Sequence, residues 1–465
     1  MKKFILKQIK DIKTYGVKEF LRKLFLSLKL LLLIPMDIIA IFPCIIIRLI
    51  SPWFIIRIER MPVASFGDFA IYSAFYYCKK EMKIDQPKKM YLDLLYVHYD
   101  DKIFNKQLLK MWKRKSIVLP AFILNPINRV NKLFPGWKKY RIECLSTKED
   151  DIDNIVEKCL PLQFTAEEEI YGKSILKKFG LNQDDKFVCL AVRDDAYQKK
   201  KIPSRFRDWS YHDYRNYNID HFVLAAEELA KKGYYVFRMG VVVNKSLNSK
   251  NSKIIDYANS DLRSDFMDVY LGAKCTFCIS TGLGFDFVPH IFKRPIALFA
   301  LPVASLRTHS ERYLLLTKHH FLKKEKRKLS LSEIFSHGVA FAQDANIFKN
   351  KGIELIDFTP EQIRDHVLEM AENLESLKKL TTEEEELQKS FQELFISSFE
   401  KYVEVPDNKY LFSKIYPKYQ KMHRQIKSRF STKFLKENRD WLKWTINVIK
   451  VINGKKFNKK NFNFK

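Results

Sequence analysis

Between residues 186 and 301 the chain repeats one pattern. An apolar run ends in small or charged residues and is followed by a stretch of helical periodicity. KFVCLAVRD (186–194), YYVFRMG (234–240), CTFCISTGLG (275–284) and PIALFAL (295–301) read as strands buried on both faces, since polar and apolar residues do not alternate along them. IIDYA reads as a further short strand. AEEEIYGKSILKKFGL, IDHFVLAAEELAKKG, RSDFMDVYLGAK and FDFVPHIFKR read as helices, the first two stopped by Gly180 and Gly233. Strands separated by helices imply a mainly parallel sheet covered on both faces, an α/β fold. In such sheets ligands bind beyond the carboxyl ends of the strands.

A looser unit of the same kind comes earlier. FIIRIER reads as a strand, MPVASFGDFAIYSAFYYCKK as a glycine loop and a helix from about Asp68, and MYLDLLYV and SIVLPAF as two more strands. The expected organisation is an N-terminal segment, 1–55, an α/β domain over 56–160, a second over 161–375 and a helical basic extension over 376–465.

The N-terminal segment contains LLLLIPMDIIAIFPCIII, residues 30–47, with one charge, Asp37, and two prolines, Pro35 and Pro43. Eighteen residues is the lower limit for a helical span, and the prolines favour a kinked or shallow path. Basic residues flank it on both sides, and no small-residue cleavage site follows. The segment is expected to be a monotopic anchor or a short span that leaves the rest of the chain at the cytoplasmic face. A buried hairpin of a soluble domain is the alternative.

Charge supports a membrane surface. Of a net charge of +29, residues 1–60 hold a surplus of 8 and residues 401–465 a surplus of 14, leaving 7 for the 340 residues between. Basic ends beside apolar sequence suit an anionic membrane surface; no basic element in the middle suits nucleic acid, which is not expected as a partner. The tail interleaves its charge with Tyr402, Tyr410, Phe412, Tyr416, Tyr419, Phe430, Phe434, Trp441 and Trp444, a pattern expected of an interfacial helix or of a surface that packs back onto the membrane-facing side. The seven cysteines form no ligand ladder; Cys275 and Cys278 fall inside a strand-like run, so reduced buried thiols are expected. His212, His290 and His309 are scattered without ligand spacing, and neither metal nor cofactor is expected.

The chemistry-bearing residues gather at strand ends. AVRDDAY puts Arg193 and Asp194 past one strand, and FRMG puts Arg238 and Gly240 at another. ISTGLGFD places Ser280, Thr281, Gly282, Gly284 and Asp286 between a strand and a helix. Small residues let backbone approach a phosphate, hydroxyls and a helix start supply donors, and guanidinium forks bind phosphate bidentately. Convergence of the two arginines on one edge would match a nucleoside diphosphate. No GxxxxGK[ST] run is present, and no GxGxxG opens the first unit. In ASFGDFA, Gly67 permits close approach. Asp68 there caps a helix or faces a cleft, where it could take a proton from a hydroxyl. The aromatic and charged stretch RFRDWSYHDYRN, 205–216, reads as a functional loop.

Over residues 160–375 these motifs resemble a bacterial family of surface-polysaccharide glycosyltransferases with a GT-B-like fold. VCLAVRDDAY, IIDYANSDLRSDFMDVYLGAKCTFCISTGLGFD and PIALFALP carry the likeness. The loop at Asp68 is similar, more loosely, to the SxGD loop of lipopolysaccharide heptosyltransferases, whose aspartate is the proposed general base. STGLGFDFVPHIFKRPIALF resembles their DTGxSHxxAxxxRP segment, with Ser280 in place of the acidic residue and Phe285 in place of the histidine. The resemblance implies two Rossmann-type domains around a cleft and a GDP-, UDP- or ADP-linked sugar bound by the second. It also implies a glycolipid or polysaccharide acceptor at the cytoplasmic side of the inner membrane, and no metal. A non-catalytic scaffold that keeps the fold and binds the sugar nucleotide is the alternative.

Overall fold

The computed structural model describes residues 16–17, 20–21, 24–25, 33–145, 152–201, 210–301, 303, 309–376, 379–403 and 426–443. Contacts divide the chain into two compact units, Met1–Thr147 and Lys148–Lys465.

The first unit holds α1 (Leu33–Ile50), β1 (Phe54–Arg60), α2 (Phe66–Glu81), β2 (Met90–Tyr96), α3 (Lys106–Lys113), β3 (Ile117–Val118) and α4 (Ala121–Asn131). Its sheet has the order β1-β2-β3 and is parallel throughout. SIVLPAF is a strand only as far as Val118; Pro120 stands at the N-cap of α4, where its fixed φ suits a helix entrance, and the rest of the run is helical. The β1–β2 pair buries a charge network. Arg57 donates from Nε and Nη2 to the two oxygens of Asp93 at 2.6 and 2.8 Å, and the Tyr76 hydroxyl donates to Asp93 at 2.6 Å. Ala40 and Cys44 of α1 join Ile58, Tyr96, Leu124 and Ile127 in the core.

The second unit opens with α5 (Ile152–Glu157) and α6 (Ala166–Lys178). Then come β4 (Phe187–Ala191), α7 (Ala196–Lys201), α8 (Val223–Lys231), β5 (Tyr235–Arg238), β6 (Ile254–Ile255) and α9 (Asp265–Lys274). β7 (Phe277–Ser280), α10 (Phe287–Ile291), β8 (Ile296–Phe299) and β9 (Tyr313–Leu316) complete the repeat. A small antiparallel sheet of β10 (His319–Leu322), β11 (Arg327–Lys328) and β12 (Ile353–Ile356) follows, with α11 (Leu331–Ser336) and α12 (Ala345–Asn350). The described remainder is α13 (Pro360–Ser376), α14 (Thr382–Tyr402), β13 (Arg429–Phe430) and α15 (Thr432–Glu437).

The main sheet has seven parallel strands in the order β6-β5-β4-β7-β8-β9-β13. The chain lays β4, β5 and β6 outward in one direction, returns to the other side of β4 with β7, and builds outward the other way. That is the strand order of a doubly wound sheet, with its reversal between β4 and β7. Every residue of β4, β7, β8 and β9 is buried, as their unbroken apolar sequences require.

β13 pairs with β9, and Gln388 of α14 both donates to Phe430 O (2.7 Å) and accepts from Phe430 N–H (2.9 Å). Tyr402, Phe430, Phe434 and Trp441 are buried; Phe430 and Trp441 pack on Phe391 and Phe434 on both of them, so these four aromatics belong to a core. Tyr410, Phe412, Tyr416, Tyr419 and Trp444 lie outside the described residues. Cys275 and Cys278 are free buried thiols, as are Cys44, Cys144 and Cys189.

Candidate anion site at the strand reversal

The carboxyl ends of β4 and β7 lie side by side at the reversal and are tied together. The Arg193 backbone N–H donates to Thr281 Oγ1 at 2.8 Å, and Thr281 N–H donates to Ala191 O at 3.1 Å. Gly282 then takes the left-handed conformation, φ +76°. A Cβ there would meet nothing nearer than Phe299 O at 3.9 Å and Arg215 Nη2 at 4.0 Å, so the backbone, not crowding, asks for glycine.

Ser280 and Asp286, read as ligand-binding, are completely buried. Ser280 Oγ donates to the Asp286 carboxylate (3.0 Å) and accepts from Gly282 N–H (3.1 Å). They face inward and shape the turn, because Ser280 is the last residue of a strand covered on both sides. Gly284 begins the single 3-10 turn, Gly284–Asp286, that leads into α10.

Two guanidiniums stand at this turn. Arg193 Nε and Nη2 are buried and make no hydrogen bond among the described residues, and neither does Arg215 Nε. Arg215 Nη2 donates to Gly282 O, which fixes that side chain over the loop. Burial, and next the Arg215 charge, pull Arg193 down to about 10. Asp194 and Asp213 offset this only in part, and a bound anion would relieve both the desolvation and the repulsion. Arg215 ends the 3-10 helix Ser210–Arg215, inside the aromatic stretch read as a functional loop; residues 205–209 of that stretch lie outside the described ones. Lys318, just past β9, pins the segment by donating to Tyr214 O (3.4 Å) and Asn216 O (3.2 Å), and pairs with Asp357 at 2.5 Å. Burial lowers the Lys318 pKa.

Arg238 ends β5. It is 1% exposed, between the carboxylates of Asp194 (3.9 Å) and Asp256 (3.7 Å), and Nη2 donates to Lys245 O at 3.1 Å. Two acids thus face its charge, while Nε and Nη1 make no hydrogen bond among the described residues. Asp194 is also engaged, accepting from the N–H groups of Ala196 (3.1 Å) and Asn244 (2.9 Å). Gly240 serves packing, since a Cβ would lie 2.6 Å from Val243 Cγ1.

In the first unit, Gly67 is buried and Asp68 is exposed in the first turn of α2. The cap residue Ser65 makes no side-chain hydrogen bond. No hydrogen bond or ion pair involves the Asp68 carboxylate among the described residues, so the helix-capping role is not exercised.

His290 and His309, scattered in sequence, come together with Asp153. Their potential donor atoms lie within 4.8 Å of one another, close enough to ligate one cation. Asp153 stands 3.5 Å from His290 Nε2, and the Tyr313 hydroxyl lies 2.7 Å from His290 Nδ1.

No family model matches the chain, and no curated protein matches it. Among solved structures it is similar to the E. coli ADP-heptose LPS heptosyltransferase II, with 11% identity and a TM-score of 0.38 over 68% of this chain and 98% of that one. It is also similar to the glycosyl transferase family 9 structure from Veillonella parvula DSM 2008, with 12% identity and a TM-score of 0.39 over 68% of this chain and 96% of that one.

Proposed function

We propose that the chain is a glycosyltransferase, moving a sugar from a nucleoside-diphosphate donor to a lipid-linked or surface-polysaccharide acceptor at the cytoplasmic face of the inner membrane. The observation that carries the reading is the pair of half-buried arginines at the strand reversal: Arg193 Nε and Nη2 and Arg215 Nε are buried and make no hydrogen bond among the described residues. A doubly wound sheet binds its ligand there, and phosphate is the anion that two such forks fit.

The diphosphate would lie over the Gly282 turn, held by both arginines and by backbone N–H groups. As the bond to the sugar breaks, negative charge grows on the departing diphosphate, and fixed cations stabilise it without rearranging. Arginine suits this role because it stays charged throughout. Asp68 is the proposed base for the acceptor hydroxyl.

The test is calorimetric titration of the full chain in detergent with UDP, GDP, ADP and CMP, repeated with Arg193→Ala and Arg215→Ala. One diphosphate is expected to bind selectively, and each substitution to weaken it about tenfold or more, the worth of a charge-assisted hydrogen bond. Folded protein that binds none of them, or binds equally well in both variants, would overturn the proposal.

A further inference from the structure

Burial along α1 follows a helical period. Asp37, Ala40, Cys44, Ile47 and Arg48 turn wholly or partly inward. The nine exposed residues, among them Ile38, Ile39, Phe42, Ile45 and Leu49, are apolar without exception. A helix at the surface of a water-soluble unit carries polar residues on that face. Here the uncovered face is apolar throughout, and the two charged residues, Asp37 and Arg48, stand on the covered side.

The covered side is fastened at three levels. Near its start Asp37 accepts from Arg129 Nη2 at 2.5 Å, and at mid-helix Cys44 Sγ donates to Ile127 O at 3.4 Å. Near its end Arg48 Nη2 donates to Asn131 Oδ1 at 2.7 Å, with the guanidinium over the Phe134 and Tyr140 rings. For α1 to cross a bilayer, α4 and the open three-stranded sheet beside it would have to enter hydrocarbon. Unpaired strand edges and the Arg129, Asn128 and Asn131 side chains exclude that.

A second apolar stripe precedes α1. Val17, Phe20, Leu21, Leu24 and Phe25 are helical and exposed, spaced three and four apart, and Lys18, Arg22 and Lys23 interrupt them in sequence. Trp53, 73% exposed just past α1, is a residue type that settles at headgroup level. The surplus of eight positive charges in residues 1–60 complements an anionic leaflet.

We infer that α1 lies in the plane of an anionic membrane surface, its exposed face sunk among headgroups and upper acyl chains, and does not cross the bilayer. The inference is independent of the catalytic reading, since it uses none of the strand-reversal residues. Truncation is no test of it: removing residues 1–55 would take Ala40 and Cys44 out of the core of the first unit.

The experiment places a nitroxide on single cysteines at Ile34→Cys, Ile38→Cys, Phe42→Cys, Ile45→Cys and Leu49→Cys in the full chain. Depth is then measured by oxygen and nickel accessibility on phosphatidylglycerol vesicles. All five labels are expected at one shallow depth, with Phe42→Asp, a surface change checked for folding by circular dichroism, weakening vesicle binding about tenfold. Depth that peaks at Phe42 and falls toward both ends would establish a span and overturn the inference. Labels that stay in water beside vesicles would overturn it in favour of a second copy or residues 1–32 as the covering surface. Equal binding to phosphatidylcholine vesicles would remove the anionic requirement.

Discussion

Gly282 decides whether both arginines can stand where they do. Its carbonyl anchors Arg215, its N–H is held by Ser280, and the residue before it receives the Arg193 N–H. Gly282→Ala creates no clash, so its cost is the left-handed backbone alone, about 1 kcal/mol. The variant should fold with a slightly lower urea midpoint but lose nucleoside-diphosphate affinity more than stability, because the turn is the platform for both guanidiniums. Unchanged affinity in calorimetry would separate the turn from the site. Arg193, Thr281 and Gly282 were legible because strand-end residues of those types are few and distinctive. Whether a strand-end side chain faces a ligand or the core was not legible. Ser280 turns inward, its hydroxyl satisfied by Asp286, and Arg238 lies between Asp194 and Asp256, which follow β4 and β6. Arg215 went unnoticed because its partner, Gly282, is remote in sequence; the only signal was the polar aromatic stretch around it.

At the scale of elements, the strands and most helices announce themselves, but their order across the sheet does not. Nothing local says that β7 returns to the side of β4, and the site exists only because it does. A short apolar run serves a strand, a helix or a core equally well; Pro120 decides it for SIVLPAF, and the pairing of β13 with β9 for the aromatics from Phe430 to Trp441. The packing of α6 on α9 is equally hidden. It passes through Gly172, where a Cβ would lie 2.3–2.5 Å from the Tyr270 ring. Gly172→Ala sets a gain of about 1 kcal/mol in helix propensity against about 1–3 kcal/mol of overpacking. The Tyr270 hydroxyl, 3.2 Å from Glu169 Oε2, resists swinging the ring aside. Overpacking should win, lowering the melting temperature. In the Tyr270→Leu background the same substitution should cost less, and a double-mutant cycle showing no coupling would refute this account of the contact.

For the whole molecule, the basic ends were legible from charge counting, whereas the folding of the described tail into the second unit was not. The two units also differ in how they should meet acid. His319, His320 and His366 are buried in the second unit, and burial lowers them to about 4, 3 and 3. Because the folded values lie below the usual 6.5, their contribution is present above pH 6.5 and is lost as pH falls toward 4 and 3. Asp268, raised to about 6 by burial, acts in the opposite sense, contributing at low pH and losing that contribution as pH rises through 6. Glu369, also raised by burial, acts like Asp268, and three histidines against these two acids leave a net loss in acid, up to about 1.4 kcal/mol per pH unit for each histidine that unfolding protonates. His319 and His320 follow directly on Lys318, whose bonds to Tyr214 and Asn216 hold the Arg215 segment in place. Between pH 7 and 4.5, peptides from β10 and α13 should therefore lose hydrogen-exchange protection while β1 and β2 keep theirs. His366→Leu should flatten the pH dependence of the urea midpoint. Nucleotide affinity should fall over the same interval, while vesicle binding, proposed for α1 of the first unit, should persist. Protection lost equally in both units would mean that the histidines do not govern the transition.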